Sequence, residues 1–190
     1  NNHGGAVKLV SASPSFTNCV FTRNASQANS GGALYVDSAS APTLSGNEFR
    51  FNSASQFGGA VFAQQAALDI SGGLFIGNYA SYGGGFYGEG AVSFSFSNIK
   101  ILGNESNSSG NSSGGFAYFN SGVVGSTFVN CSISGNKSAG RNGVYRPTGA
   151  TRFVNCSIVG NISAPEGGIA LLFSGDSIAM DNCIIWGNTA

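Results

Sequence analysis

The sequence predicts an all-β fold built from stacked repeats, on three observations. The 190-residue chain is rich in Gly, Phe, Ser, Asn and Val, whereas strong helix formers are scarce. A Gly-Gly pair recurs along the whole chain, and so does an Asn that follows a short apolar stretch. This repeat Asn returns at spacings between 25 and 32 residues. A period of that length is typical of a solenoid, in which each repeat packs only against its neighbours.

Seven units carry both marks. The Gly-Gly pairs are Gly4-Gly5, Gly31-Gly32, Gly58-Gly59, Gly84-Gly85, Gly114-Gly115 and Gly167-Gly168, with Asn142-Gly143 in the remaining unit. The repeat Asn residues are Asn24, Asn52, Asn78, Asn104, Asn136, Asn161 and Asn188.

Fixed columns before each repeat Asn indicate how a unit folds. The residues three and eight positions before it are large and apolar in every unit. The residue six positions before it is always Asn or Gly, which tolerate a left-handed backbone and so predict a corner between two strands. We therefore predict a right-handed, single-stranded parallel β-helix of about seven coils of 25–32 residues. Its predicted core ladders include Phe16, Phe96, Phe128, Phe153, Cys131, Cys156 and Cys183.

The cysteines occupy one column, five residues before the repeat Asn. Cys131, Cys156 and Cys183 lie in consecutive units, and Cys19 stands apart. We expect a ladder of small buried thiols; a disulfide between neighbours is sterically conceivable, although three in a row leave one unpaired. A tetrahedral metal site needs ligands from several directions, so we expect no metal and no cofactor.

Eight Asn-x-Ser/Thr sequons occur, but the repeat itself accounts for several of them. The repeat Asn is expected to form a buried hydrogen-bonded ladder, which would make its sequons a by-product of packing. The candidate glycosylation sites are Asn107 and Asn111, in a Ser/Asn-rich segment 105–113 predicted to loop outward, together with Asn104.

Two further columns are predicted to face outward and to form a contact stripe. Charged residues at some positions of these columns favour solvent exposure of the others. An exposed apolar stripe favours a contact surface for a partner or for stacking sugars. The predicted stripe consists of Tyr35, Phe62, Tyr118, Ile76, Leu102 and Trp186.

Charge and acid placement argue against several functions. Eight basic and eight acidic residues give no surplus of positive charge, so we expect no nucleic-acid partner. No apolar run is long enough for a transmembrane helix. Polysaccharide lyases and hydrolases need clustered carboxylates, and here the acids fall in different columns. We therefore expect no enzyme activity.

Gly-Gly-Ala followed by Val or Leu at residues 4–7, 31–34 and 58–61 alternates with Phe-x-x-Asn at residues 21–24, 49–52 and 75–78. This pattern resembles the repeat of the chlamydial polymorphic outer membrane proteins. The resemblance implies a pectate-lyase-like right-handed β-helix displayed at a cell surface. The later units depart from the family pattern, with Ile in place of Phe and Phe or Ile in place of Ala.

The expected organisation is one domain over residues 1–190, either part of a longer chain or one unit of an end-to-end assembly. The leading hypothesis is a non-catalytic extracellular structural protein, the rod of a surface filament, appendage or adhesin. Its expected partners are further copies or neighbouring β-helix segments. A glycan- or receptor-binding adhesin module is the alternative, and a polysaccharide-active enzyme is the third hypothesis.

Overall fold

A computed structural model describes residues 3–108, 113–120, 122–140, 145–146, 149–163 and 177–190. These residues form a parallel β-solenoid of about six turns and contain no helix, so the predicted fold class is confirmed. Among the described residues, each of the first six coils contributes one short strand to each of four sheets, A to D, and the last coil contributes strands to sheets B and C. The sequence predicted a corner between two strands of each unit; the coil also includes a two-residue strand that follows the repeat Asn.

Sheets A and B hold the first two strands of each coil. Sheet A comprises β1 (Val7–Leu9), β5 (Leu34–Val36), β9 (Val61–Gln64), β13 (Phe86–Glu89), β17 (Ala117–Phe119) and β21 (Tyr145–Arg146). Sheet B comprises β2 (Ser15–Thr17), β6 (Thr43–Ser45), β10 (Leu68–Ser71), β14 (Ser93–Ser97), β18 (Gly125–Val129), β22 (Ala150–Val154) and β25 (Ser177–Asp181).

Sheets C and D hold the strands on either side of the repeat Asn. Sheet C comprises β3 (Val20–Thr22), β7 (Glu48–Arg50), β11 (Leu74–Ile76), β15 (Lys100–Leu102), β19 (Ser132–Ser134), β23 (Ser157–Val159) and β26 (Ile184–Trp186). Sheet D comprises β4 (Ala25–Ser26), β8 (Ser53–Ala54), β12 (Tyr79–Ala80), β16 (Glu105–Ser106), β20 (Lys137–Ser138) and β24 (Ile162–Ser163).

The sequence columns become ladders of side chains inside the solenoid. Phe96, Phe128 and Phe153 occupy paired positions of β14, β18 and β22, and all three are fully buried. Their ring centroids lie 4.7 and 4.8 Å apart, with planes within 10° of parallel. Phe16 in the first coil is partly buried against the same core. The coil spacing thus equals the spacing of stacked rings, so each added coil extends the aromatic core.

The repeat Asn forms a continuous ladder of buried carboxamides, as the sequence predicted. The Nδ2 of Asn78 donates to Asn104 Oδ1 (2.9 Å) in the next coil and to the carbonyl of Phe49 (2.9 Å) in the previous one. Its Oδ1 accepts bonds from the backbone N–H and the Nδ2 of Asn52. Every polar atom of this buried amide is therefore satisfied, which keeps its burial from being costly.

Two left-handed corners bracket the strand of sheet C in every coil. The predicted corner, six residues before the repeat Asn, has φ between 52° and 66° throughout. The sequence prediction missed a second corner, the residue directly before the repeat Asn, with φ between 53° and 63°. The members of this second corner are Arg23, Phe51, Gly77, Gly103, Gly135, Gly160 and Gly187. The recurring Gly-Asn dipeptide was the signal that could have revealed it.

Both ends of the segment 105–113, which was predicted to loop outward, belong to the packed coil. Glu105 and Ser106 form β16, and Ser106 is fully buried. Ser113 is also buried, with its hydroxyl 2.7 Å from that of Ser138. Small hydroxyl side chains at both ends thus belong to the packed coil, and residues 109–112 lie outside the described residues.

Replacing Asn78 by Ala should destabilise the solenoid by about 4 kcal/mol or more. The change leaves several buried partners unsatisfied, and each such partner costs about 1–3 kcal/mol. Asn24→Ala is the control, because the half-buried Asn24 side chain donates one ladder bond, to Asn52 Oδ1. Its expected cost is about 1 kcal/mol. Urea unfolding of both variants measures the difference, and equal costs would contradict the ladder's role.

Gly59→Ala should be far more damaging than Gly103→Ala. A Cβ on Gly59 would collide with the backbone carbonyl oxygens of Tyr79, in β12, and of Gly84, which lies shortly before β13. A Cβ on Gly103 meets no heavy atom within 4 Å, so only the left-handed backbone, at about 1–2 kcal/mol, opposes it. Comparable urea midpoints for the two variants would refute the close approach at Gly59.

Candidate functional site

The outer side of sheet A carries a second apolar cluster, separate from the core. Leu34 and Val36 of β5 point into the core, whereas Tyr35 between them points to the opposite face. Tyr35, Phe62, Tyr87 and Tyr118 stack there with centroids 5.3, 5.2 and 5.0 Å apart and planes within 10° of parallel. We call these four side chains the outer aromatic ladder.

The predicted exposure of Tyr35, Phe62 and Tyr118 is wrong, although they do face away from the core. Each side chain of the outer aromatic ladder is only 3–7% exposed. The rings cover one another's faces, and the half-buried Phe57 and Tyr82 pack against them. Stacking in register therefore buries the aromatic side chains of this column, although charged residues at other positions of the column suggested that it is exposed to solvent.

Tyr87 was missed because the fourth unit contains three consecutive glycines. The Gly-Gly pair predicted from the sequence in this unit is Gly84-Gly85, which puts Gly88 at the position that Tyr35 and Phe62 occupy in their units. In the structure Gly83 has the left-handed φ of 64° that the first glycine has in other coils, so the pair is Gly83-Gly84. Tyr87 then pairs with Phe62 and Tyr118. The third consecutive glycine was the feature of the sequence that could have revealed this alternative register.

The second predicted outward column lies on sheet C and does reach the surface. Ile76 and Leu102 are half-buried, and Trp186 is 74% exposed. Beside this column the structure adds two exposed aromatic residues that sequence reasoning did not select, Phe51 and Tyr79. We call these five side chains the exposed apolar face of sheet C, although Phe51 lies at the corner after β7 and Tyr79 in the adjacent β12 of sheet D.

Phe51 combines exposure with an unfavourable backbone. Its φ of 53° lies in the left-handed region, in a column where five of seven residues are Gly. Its ring lies over Gly77, where a Cβ would collide with ring carbons. A bulky residue in this conformation costs free energy, and such outliers are concentrated at functional sites. Phe51 is therefore a candidate contact residue.

The last coil exposes side chains that are buried in every inner coil. Ile185 is 56% exposed, whereas Ile158, its paired neighbour in the core column, is 1% exposed. Met180, paired with the buried Phe153, is also exposed. The outer edges of β25 and β26 carry backbone groups at the same end. This end face presents an apolar surface together with the edges of two strands.

The sequons divide sharply by burial. Asn104 is a poor glycosylation site, contrary to expectation, because it is fully buried and its Nδ2 donates to Phe75 O and Asn136 Oδ1. The carboxamide ladder requires that atom, so attaching a sugar would break two buried bonds. Asn107 is exposed, whereas Asn111 lies outside the described residues.

The three consecutive cysteines form the predicted thiol ladder. Cys131 and Cys156 are buried in the core, and Cys183 is partly buried against it. Hydrogen bonding to the Cys156 thiol, together with burial, raises the pKa of Cys131. The same interaction lowers the pKa of Cys156, against the opposing effect of burial. One proton of the pair is thus lost more readily than the other.

The described carboxylates are dispersed over the surface. Glu48 lies 2.7 Å from Arg50, whose hydrogen bond lowers the pKa of that carboxyl. A hydrogen bond from Ser40 likewise lowers the pKa of Asp37. Asp181 pairs with Arg152 at 2.9 Å. Depressed pKa values keep Glu48 and Asp37 ionised near neutral pH, which does not suit a general acid. Glu166 and Asp176 lie outside the described residues.

No family model, curated protein or solved structure matches the chain. Within the described part of the chain, no group of three or more His, Cys, Asp or Glu side chains is placed to hold a metal ion. No helix among those residues is long and apolar enough to cross a membrane.

Asn107 should carry a glycan, and Asn104 should not, when the protein is secreted through a eukaryotic pathway. The exposed amide of Asn107 is accessible, whereas the amide of Asn104 is held in the carboxamide ladder. Glycopeptide mass spectrometry measures occupancy at both sites. Asn107→Gln serves as the control for assignment, and substantial occupancy of Asn104 would contradict its burial.

Proposed function

We propose that the chain is a non-catalytic structural protein, a β-helical rod within an extracellular filament, appendage or adhesin. The observation that carries this proposal is the repetition of the same contacts from coil to coil. The last described coil, with Ile185, Met180 and the strand edges of β25 and β26, presents the pattern that each inner coil presents to the next. A further coil of the same kind, whether of this chain or of another copy, is complementary to it.

Continuity of the ladders supports a mechanical role. The phenylalanine stacks and the carboxamide ladder repeat with the coil, so each added coil makes the same contacts as the last. In a solenoid, stability is approximately a sum of such nearest-neighbour terms. A rod of this kind can be lengthened without a change in its design.

An extracellular location fits the low charge content and the exposed sequon at Asn107. It also fits the resemblance of the repeat to that of the polymorphic outer membrane proteins, which are surface passengers. The dispersion of the described carboxylates supports a role without catalysis, because hydrolytic and lyase sites on β-helices need acids grouped in one cleft.

A glycan- or receptor-binding module is the second candidate function. The outer aromatic ladder no longer favours it, because those rings are buried. The exposed apolar face of sheet C does, since Phe51 retains an exposed ring at a strained backbone position and Trp186 of the last coil is also exposed. Exposed aromatic rings are suited to stacking against sugars or apolar partner groups.

Assembly of the purified chain tests the structural proposal. We expect particles in negative-stain electron microscopy and sedimentation velocity to lengthen with protein concentration in steps of one rod. Ile185→Lys should abolish this growth, because it places a charge in the apolar end face. Val124→Lys is the matched control, because Val124 is comparably exposed but lies on the flank of the rod.

Discrete rods at every concentration for the unmodified chain would refute end-to-end assembly and favour the binding module. Equal loss of assembly in both lysine variants would point to a nonspecific charge effect and would also count against the end face.

A further inference from the structure

We propose that Cys131, Cys156 and Cys183 form a linear, two-coordinate binding site for a soft metal ion such as Cu(I). Each adjacent pair of sulfurs holds one ion between neighbouring coils. The site lies inside the solenoid, apart from the exposed apolar face of sheet C, and its last member, Cys183, belongs to the coil that carries the end face.

The three sulfurs occupy equivalent positions in successive coils. The Sγ of Cys131 lies 3.5 Å from Phe96 O and 3.4 Å from Val129 O. The corresponding distances for Cys156 are 3.5 Å to Phe128 O and 3.3 Å to Val154 O. Cys183 repeats the pattern with Phe153 O and Asp181 O, at 3.6 and 3.4 Å. Because each thiol lies at similar distances from the two equivalent carbonyl oxygens of its own coil and the previous one, adjacent sulfurs are separated by about one coil rise.

The coil rise is measured beside the thiols. Phe128 and Phe153 lie three residues before Cys131 and Cys156, and their ring centroids are 4.8 Å apart. A metal–thiolate bond is about 2.3 Å, so two sulfurs on opposite sides of one ion are about 4.6 Å apart. An ion midway between adjacent sulfurs therefore fits without movement of the backbone.

The in-line arrangement also selects the kind of ion. Zinc needs four ligands in a tetrahedron, and the described residues supply no group of three. Soft thiolate ligands suit Cu(I), whose filled d shell accepts a linear pair of sulfurs. The expectation from sequence of no metal was argued for tetrahedral ions alone, and a two-coordinate ion does not need ligands from several directions.

Binding has a defined proton balance and a route of entry. The first ion to join two sulfurs displaces their two thiol protons to solvent, and a second ion, which shares the middle sulfur, displaces the third. Cys183 is only partly buried, so the ladder reaches the surface at its last member.

Anaerobic titration of the chain with Cu(I), against a chromophoric Cu(I) chelator, tests the proposal. We expect tight binding with two sulfur neighbours in X-ray absorption. Cys156→Ala removes the shared sulfur of both pairs and should weaken binding by more than roughly 100-fold, the upper cost of losing an indirect partner of a ligand. Cys19→Ala is the matched control, because the same column holds Asn47 in the next coil, and it should leave binding unchanged.

A rescue variant keeps the test decisive if Cys156→Ala also lowers stability. Ile99 is buried in the cysteine column one coil before Cys131, since the residues that follow the two are paired in β15 and β19. Adding Ile99→Cys to Cys156→Ala should restore tight, two-sulfur binding. Failure of this rescue in a folded protein, three or four sulfur neighbours, or a loss of binding in Cys19→Ala would each overturn the proposal.

Discussion

The carboxamide ladder of the repeat Asn is the interaction on which the rest of the solenoid depends. Each amide satisfies backbone groups at the end of a sheet C strand and bonds to the amide of the next coil. A bend in the backbone exposes polar groups that cannot be left unpaired in the interior. The ladder pairs them at the same place in every coil, which fixes the register of the flanking strands.

Stacked rings use that register in two different environments. Inside, the phenylalanine ladders fill the core, as Phe96 and Phe128 do. Outside, Tyr35, Phe62, Tyr87 and Tyr118 shield one another from water although they point away from the core. The rings of that flank thereby shield one another from solvent, whereas Phe51, Trp186 and the side chains of the end face remain exposed.

Most of the fold could be predicted because its constraints are local and repeated. The corner column, the phenylalanine ladders and the buried repeat Asn all follow from residue types at a fixed distance from one Asn. Burial of the outer aromatic ladder could not be predicted, because it depends on how neighbouring rings stack. A charged residue in the same column, Lys8, which is paired with Tyr35, suggests exposure instead. The fourth unit shows another limit, since an extra glycine at Gly83 moves the register by one residue. Phe51 could not be selected from the sequence, because its importance depends on its positive φ, and a single Phe in a sequence does not predict a positive φ.

The hydrogen bonds of the carboxamide ladder all run in one direction. In each step the oxygen of the later coil accepts from the N–H groups of the earlier coil, from Asn24 to Asn188. The amide dipoles therefore add along the axis and polarise one another. The ladder is therefore polar, with acceptor oxygens facing one way along the axis and N–H donors the other. If copies join end to end through it, the contact is heterologous, so all copies share one orientation in an open fibre.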